Sequence, residues 1–425
     1  MVSSEVVSFQ NYLKTSRLLK LGFVFNLLSL SSVMIVFAFL TLTGNLESTV
    51  YTMDFHVFYE AGQAFISSPG YIYTVSPGGL PFRYLPAFAA FMSLFAAIPL
   101  YSLYLMNIIL MTAIHLFTVY MVYRVSLEIG VTTSTKNFEK TLTIVAITPP
   151  HVVNLILGQI SQLVILLVLV ALYVLLSSSK DTTLPFFWVG LLIGIASTLK
   201  PFCVVLIPFL VPITVVGRHR PSLSIKQLVG AFLGLLLSMV PNIVYFFTYP
   251  ETFNEFLQVN FAGELSYHHS TSITRLVVAL LPFVETSLLQ FSVILVLGGF
   301  IFLRSYVTFV MDRSERKNYV RHFADMMFLI LLVFPDSWFL FLAFLYAFLA
   351  PSMLQLYNTS HLTERESHNL DLLWHGANNL LAFFSFGIVF HYLLIGFDPI
   401  NPIWVAMLYI LYHRVYKVAR SSVEN

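Results

Sequence analysis

The sequence predicts an all-α integral membrane protein: a polytopic helical bundle of about 12 transmembrane helices, with an amphipathic helix in an outer loop. Three observations predict it. Hydrophobic residues fill 58% of the 425 positions and charged residues only 10%, giving a mean hydropathy of +0.84. That is more apolar surface than a soluble core can hide. Long apolar runs recur between short polar breaks, and the basic residues gather in the breaks that alternation would place on one side of a membrane.

The runs lie near 21–44, 102–124, 141–157, 159–177, 185–199, 201–216, 227–249, 285–303, 319–334, 338–353, 373–396 and 400–416. The first, from Leu21 to Leu42, is longer than a signal-peptide core and lacks a small-residue cleavage site, so it reads as a retained helix. Lys14, Arg17 and Lys20 precede it, which puts the N-terminus in the cytoplasm and residues 45–85 outside. Alternation then places Arg124, Lys136 and Lys140, Lys180, Arg218, Arg220 and Lys226, Arg304 through Arg321, and Arg414, Lys417 and Arg420 in the cytoplasm, together with the C-terminus. The register requires residues 86–124 to cross once. Pro86 to Ile98 is therefore expected as a half-helix or surface segment, cut by Pro99 from the true span.

Three basic residues break this sorting: Arg83, Lys200 and Arg275 fall near the outer face. Each either snorkels to headgroups or a local carboxylate, or meets something anionic. Around them the outer side collects polar sequence. "YTMDFHVFYEAGQAF" at 51–65 predicts a short amphipathic helix over Asp54 to Phe65, and Asp54 stands where a helix N-cap would stand. "GQISQ" at 158–162, "LKPF" at 199–202 and "YHHSTSITR" at 267–275 interrupt apolar runs at ends that share that side. Separate loops converging on one face can build a site at the lipid interface.

Several classes are excluded or disfavoured. A net charge of +2 with scattered basic residues argues against a nucleic-acid partner. The single cysteine, Cys203, lies in an apolar run and allows neither a disulfide framework nor a thiolate metal site. Asp-x-Asp, HExxH, Walker and dinucleotide glycine motifs are lacking, so neither metal nor cofactor is expected. Asn358-Thr-Ser matches a glycosylation sequon, but the topology places it in the cytoplasm.

Asp54-Phe-His-Val-Phe-Tyr with Ala61, Tyr73, Tyr84-Leu-Pro86, Gly158-Gln159 and Lys200-Pro201 follow one another in an order and spacing that resembles glycosyltransferase family 87, over residues 20–280. That family belongs to the GT-C superfamily and includes polyprenyl-phosphate-mannose-dependent α-mannosyltransferases. The resemblance implies a GT-C-like catalytic transmembrane module at 1–284, with outer loops 45–85 and 250–284, followed by C-terminal transmembrane helices at 285–425. It implies an inverting transfer of a sugar, mannose at the level of the family, from a polyprenyl-phosphate donor to a lipid or glycan acceptor. The site would face the extracytoplasmic side of the cell membrane, among its lipids. Asp54 would be the general base. Lys200, Arg83 and Arg275 would hold the donor phosphate, and His56, Tyr59, Tyr84, Gln159, His268, His269, Ser337 and Trp338 would contact substrates. The chain departs from the family at "FPDSWFLFLAF", residues 334–344, where Ser337 and Trp338 match but Phe339, Leu340 and Phe341 replace a histidine region. Asp336 reads equally as a turn residue or part of an acceptor site.

Two other readings stand beside this one. A transporter or lipid-linked-sugar flippase would also need many spans and intramembrane polar residues, but no internal repeat is visible. A degenerate relative that binds donor without turnover would explain the missing histidines.

Overall fold

The computed structural model describes residues 2–133, 135–178, 183–210, 213–216, 220–262, 270–311, 316–335, 337–357, 364, 368 and 400–424. Apart from a short antiparallel hairpin pairing Ile213–Val216 with Arg220–Leu223 and an isolated bridge between Ser270 and Trp338, these residues are mainly helical, joined by turns and irregular segments. In chain order the helices are α1 Val2–Thr15, α2 Arg17–Leu42, α3 Met53–Ser67, α4 Pro86–Ser93, α5 Leu100–Glu128, α6 Lys136–Ala146, α7 Pro149–Leu157, α8 Ser161–Ser177 and α9 Thr183–Leu199. After a 3-10 segment, Pro201–Leu210, come α10 Ile225–Thr248, α11 Glu251–Leu257, α12 Ile273–Leu280, α13 Thr286–Val293, α14 Gly299–Met311, α15 Tyr319–Val333, α16 Leu342–Tyr357 and α17 Ile400–Glu424.

Five helical stretches among the described residues are long and apolar enough to cross a membrane: Arg17–Leu42, Leu100–Glu128, Lys136–Leu157, Ile225–Thr248 and Thr286–Met311. Ser161–Ser177, Thr183–Leu199, Pro201–Leu210 and Leu342–Tyr357 are shorter apolar helices. The expected span at 373–396 lies outside the described residues. The segment Pro86 to Ile98 forms the short helix α4 and turns, and α5 starts after Pro99.

Helix α10 argues for lipid as the solvent. Its buried positions are Gln227, Gly230, Ala231, Gly234, Asn242 and Tyr245, while Phe232, Leu233, Leu237, Val244 and Phe247 stand exposed. A helix in water would bury its large apolar residues and expose its small and polar ones; this pattern is the reverse.

The described chain folds as two compact units of interleaved segments, 1–24 with 119–150 and 265–425, and 25–118 with 151–264. In the first, α15 is buried along its whole length and α16 nearly so, with α14 and α17 packed against α15. In the second, α9 and α10 lie against each other through two Gly-x-x-x-Gly pairs, Gly190 with Gly194 and Gly230 with Gly234. A β-carbon on Gly234 would stand 2.0 Å from the Phe187 carbonyl oxygen, and one on Gly190 would stand 2.1 Å from that of Ala231. Close backbone approach of this kind is how helices associate where apolar burial gives no net drive. The obstacle is backbone and cannot swing aside, so Gly234→Val is expected to destabilise by at least about 1–3 kcal/mol. A fall in melting temperature of the detergent-solubilised protein would read it.

Candidate active site

Every element of the site described first belongs to the second unit. Helix α3 replaces the expected amphipathic segment at nearly the expected limits, and its N-cap is Thr52, with φ of 63°. A left-handed β-branched residue is uncommon and stores about 1–3 kcal/mol of strain. It is held by its own N–H, which donates to the Ile156 carbonyl at 3.0 Å, and by its carbonyl, which accepts from the His56 N–H at 2.7 Å. The capping position considered for Asp54 thus goes to Thr52. Asp54 falls in the first turn of α3, half-buried, at the end where the helix dipole is positive.

The residue that meets Asp54 comes from the break between α7 and α8. Gly158 ends α7 in the left-handed region at φ 75°. Its N–H donates to the Leu155 carbonyl at 3.1 Å, and the Gln159 N–H donates to the Asn154 carbonyl at 2.8 Å. This paired pattern is a Schellman cap, in which glycine is the residue of lowest cost. Asn107 Nδ2 donates to the Gly158 carbonyl at 3.1 Å, and Tyr104 donates to the carbonyls of Leu155 and Ile156 at 2.9 and 3.2 Å, so the exposed end of α7 is satisfied. The cap delivers the Gln159 side chain, 6% exposed, to the carboxylate: Nε2 donates to Asp54 Oδ2 at 2.7 Å.

The other end of the Gln159 amide faces Tyr84, whose hydroxyl donates to Gln159 Oε1 at 3.3 Å. Tyr84 in turn accepts from Lys200 Nζ at 2.9 Å, and the same ammonium lies 4.8 Å from the tyrosine ring centroid. Lys200 is 5% exposed and closes the last turn of α9, its N–H bonded to the Ala196 carbonyl at 2.8 Å. A cation there opposes the negative end of the helix dipole, and Pro201 prevents α9 from running on. The Tyr84 ring packs edge-on against Phe58 at 4.9 Å and at a tilt against Phe88 at 5.2 Å. Its carbonyl accepts from the Tyr73 hydroxyl at 2.9 Å. Burial, and then Tyr245 and Glu255, push the Tyr73 phenol above its ordinary value, so it serves as a neutral donor.

Four of the expected residues, Asp54, Tyr84, Gln159 and Lys200, therefore form one hydrogen-bonded series. The others go elsewhere. His56 pairs with Glu60 at 3.4 Å one turn along α3, both side chains well exposed at 43% and 42%. Tyr59 donates to the Ala96 carbonyl at 3.4 Å. Arg83 is half-buried beside Tyr84 in the chain. Arg275, Ser337 and Trp338 lie in the first unit, where Arg275 is 1% exposed and its Nε donates to the Pro335 carbonyl at 2.8 Å. There Ser337 Oγ donates to the Ile330 carbonyl at 2.9 Å, and Ser270 bridges to Trp338. His268, His269 and Asp336 lie outside the described residues.

A family model described as glycosyltransferase family 87 matches residues 82–335, more than half of the chain. The chain belongs to glycosyltransferase family 87. It is a membrane glycosyltransferase. The match takes in Arg83, Tyr84, Gln159, Lys200 and Arg275, while Asp54 precedes it. No curated protein sequence matches the chain.

Some organising residues of this glycosyltransferase were missed at the sequence level. Asn242, 3% exposed, accepts from the Ala87 N–H at 2.8 Å and donates to Thr198 Oγ1 at 3.0 Å. It thereby ties the start of α4 to the end of α9. The signal was a lone amide beside Pro241 in an apolar helix, a polar group that must find a partner. In the first unit, Asp325 and His413 form a buried pair at 2.9 Å, and the Arg321 guanidinium lies 3.8 Å from the Tyr416 ring centroid. Removing one member leaves an uncompensated buried group, so Asp325→Ala is expected to cost about 3–5 kcal/mol, read as a lowered melting temperature.

Proposed function

We propose that this glycosyltransferase moves a sugar, mannose, from a polyprenyl-phosphate donor to a lipid or glycan acceptor on the extracytoplasmic side of the cell membrane, with both termini cytoplasmic. The observation that carries the proposal is the series joining a half-buried carboxylate, Asp54, to a buried ammonium, Lys200, through Gln159 and Tyr84. Glycosyl transfer from a phosphate needs a base for the acceptor hydroxyl and positive charge for the leaving phosphate. In the proposed step, Asp54 takes the proton as the acceptor oxygen bonds to the anomeric carbon from the side opposite the phosphate. The bond from that carbon to the phosphate oxygen breaks, and the polyprenyl phosphate leaves with the electron pair. Lys200 offsets the charge developing there, with Arg83 as a second cation. The helical surroundings suit a donor whose isoprenoid tail stays in lipid. Arg275 is the weaker candidate for phosphate, because its Nε is engaged by the Pro335 carbonyl.

The test uses membranes carrying wild type or Asp54→Asn at matched abundance, supplied with labelled polyprenyl-phosphate-mannose. Label passing to an endogenous acceptor with inverted configuration, and lost in the variant, supports the reading. Equal incorporation by the two excludes Asp54 as base. Transport of the lipid-linked sugar without transfer would favour the flippase reading.

A further inference from the structure

The bonds between Lys200, Tyr84, Gln159 and Asp54 all point one way. An ammonium can only donate and a carboxylate can only accept, so the two ends dictate the middle. The Tyr84 hydroxyl must accept from Lys200 and give its proton to Gln159 Oε1, at 2.9 and 3.3 Å, and the amide must then turn its Nε2 toward Asp54, at 2.7 Å. Three of the four groups are buried, with exposures of 5% for Lys200 and 6% for Tyr84 and Gln159. Out of water, bonds in series polarise one another, so what alters the first alters the last.

The backbone keeps this series in register. The Leu85 N–H donates to the Thr198 carbonyl at 3.2 Å, which fixes the segment carrying Tyr84 to the turn that ends in Lys200. Asn242 binds both of the same segments, through the Ala87 N–H and Thr198 Oγ1. The Schellman cap at Gly158 fixes Gln159 independently. Tyr84 and Gln159 therefore have their polar atoms committed to the protein's own two charged groups.

We propose that Tyr84 and Gln159 are positioning residues rather than sugar contacts, and that they couple the state of Lys200 to the carboxylate of Asp54. On this assignment, which rests on the function proposed above, pairing of Lys200 with the donor phosphate weakens its donation to Tyr84. That weakening passes through Gln159 to Asp54 as a weaker bond to Oδ2, leaving the carboxylate a better proton acceptor once donor is in place.

Two measurements on the full-length protein in lipid nanodiscs test it. The first is a kinetic cycle over Tyr84→Phe, Gln159→Met and the double variant, with polyprenyl-phosphate-mannose as donor. Each single change is expected to lower kcat by about tenfold, because the series no longer holds the Asp54 carboxylate in place, while changing donor and acceptor KM by less than about twofold, and the double change is expected to be no worse than the poorer single. Losses that multiply in the double variant, or that fall on acceptor KM alone, would overturn the assignment. The second needs no substrate: the infrared band of the Asp54 carboxylate, identified by its loss in Asp54→Asn, is expected to shift in Tyr84→Phe and in Lys200→Met. A band that stays put in both refutes the coupling even if sugar transfer is confirmed. A band that shifts while no transfer is found keeps the coupling and rejects the function.

Discussion

Asp54→Asn is expected to lower sugar transfer by about 10²–10⁴-fold while leaving the melting temperature within a few degrees of wild type, the range that loss of a general base spans. The substitution is close to isosteric. An asparagine carbonyl can accept from Gln159 Nε2 as Oδ2 does now, at 2.7 Å, so the series to Tyr84 and Lys200 survives. What disappears is the capacity to take a proton. Helix α3 keeps its N-cap at Thr52, and Asp54 is only half-buried, so the fold has little to lose. The pairing of a large kinetic effect with a small thermal one separates a chemical role from a structural one. Radiolabel transfer in membranes, alongside thermal unfolding of the purified protein, reads both.

Gly158→Ala is expected to lower transfer by at least about tenfold, the loss set for removing the Gln159 side chain, and to destabilise as well. Two costs add at this position. The left-handed backbone, φ 75°, penalises any β-carbon by about 1–2 kcal/mol. That carbon would also stand 2.5 Å from the Phe55 β-carbon and 3.1 Å from the Tyr104 ring, and Phe55 follows Asp54 directly on α3. Relief must come either from moving α3, which carries Asp54, or from unwinding the cap that presents Gln159. Either breaks the contact between them. Gly130→Ala provides the control, since Gly130 has φ 81° but meets nothing within 4 Å. It is expected to cost about 1 kcal/mol of backbone strain and to leave transfer intact. If the two variants behaved alike, strain alone would account for the effect and the close approach at Phe55 would carry no weight.

Much of the site was legible because membranes make polar residues conspicuous. In a chain that is 58% hydrophobic, a lysine before proline or a glutamine after glycine interrupts an apolar run and stands out. Gln159 and Lys200 were marked in that way, Asp54 by its place in the polar outer loop, and Tyr84 by the motif series of the resemblance. Helix α3 followed from its amphipathic pattern, and the half-helix at α4 from Pro86 and Pro99. The roles were harder to read. The resemblance implies that Tyr84 contacts substrate, and the structure adds that its hydroxyl is held between Lys200 and Gln159. Asn242 is a single amide beside Pro241, and nothing near it in the chain indicates its partners. Its two partners, on α4 and at the end of α9, are far from it in the chain.

By itself, the sequence determined the solvent and the chemistry available. Composition demands lipid, because transfer free energy is summed over residues regardless of their order in space. The motif series gives the family, and the isolated polar residues give the candidates. Only the tertiary structure decided which candidates act together. Hydrogen bonds are short and directional, so a contact between Gln159 and Asp54, 105 residues apart, or between Lys200 and Tyr84, 116 apart, exists only if four separate helix ends arrive within about 3 Å of their partners. That arrival depends on a left-handed turn at Thr52, a glycine cap at Gly158 and an asparagine strut at Asn242. No periodicity along the chain encodes any of them.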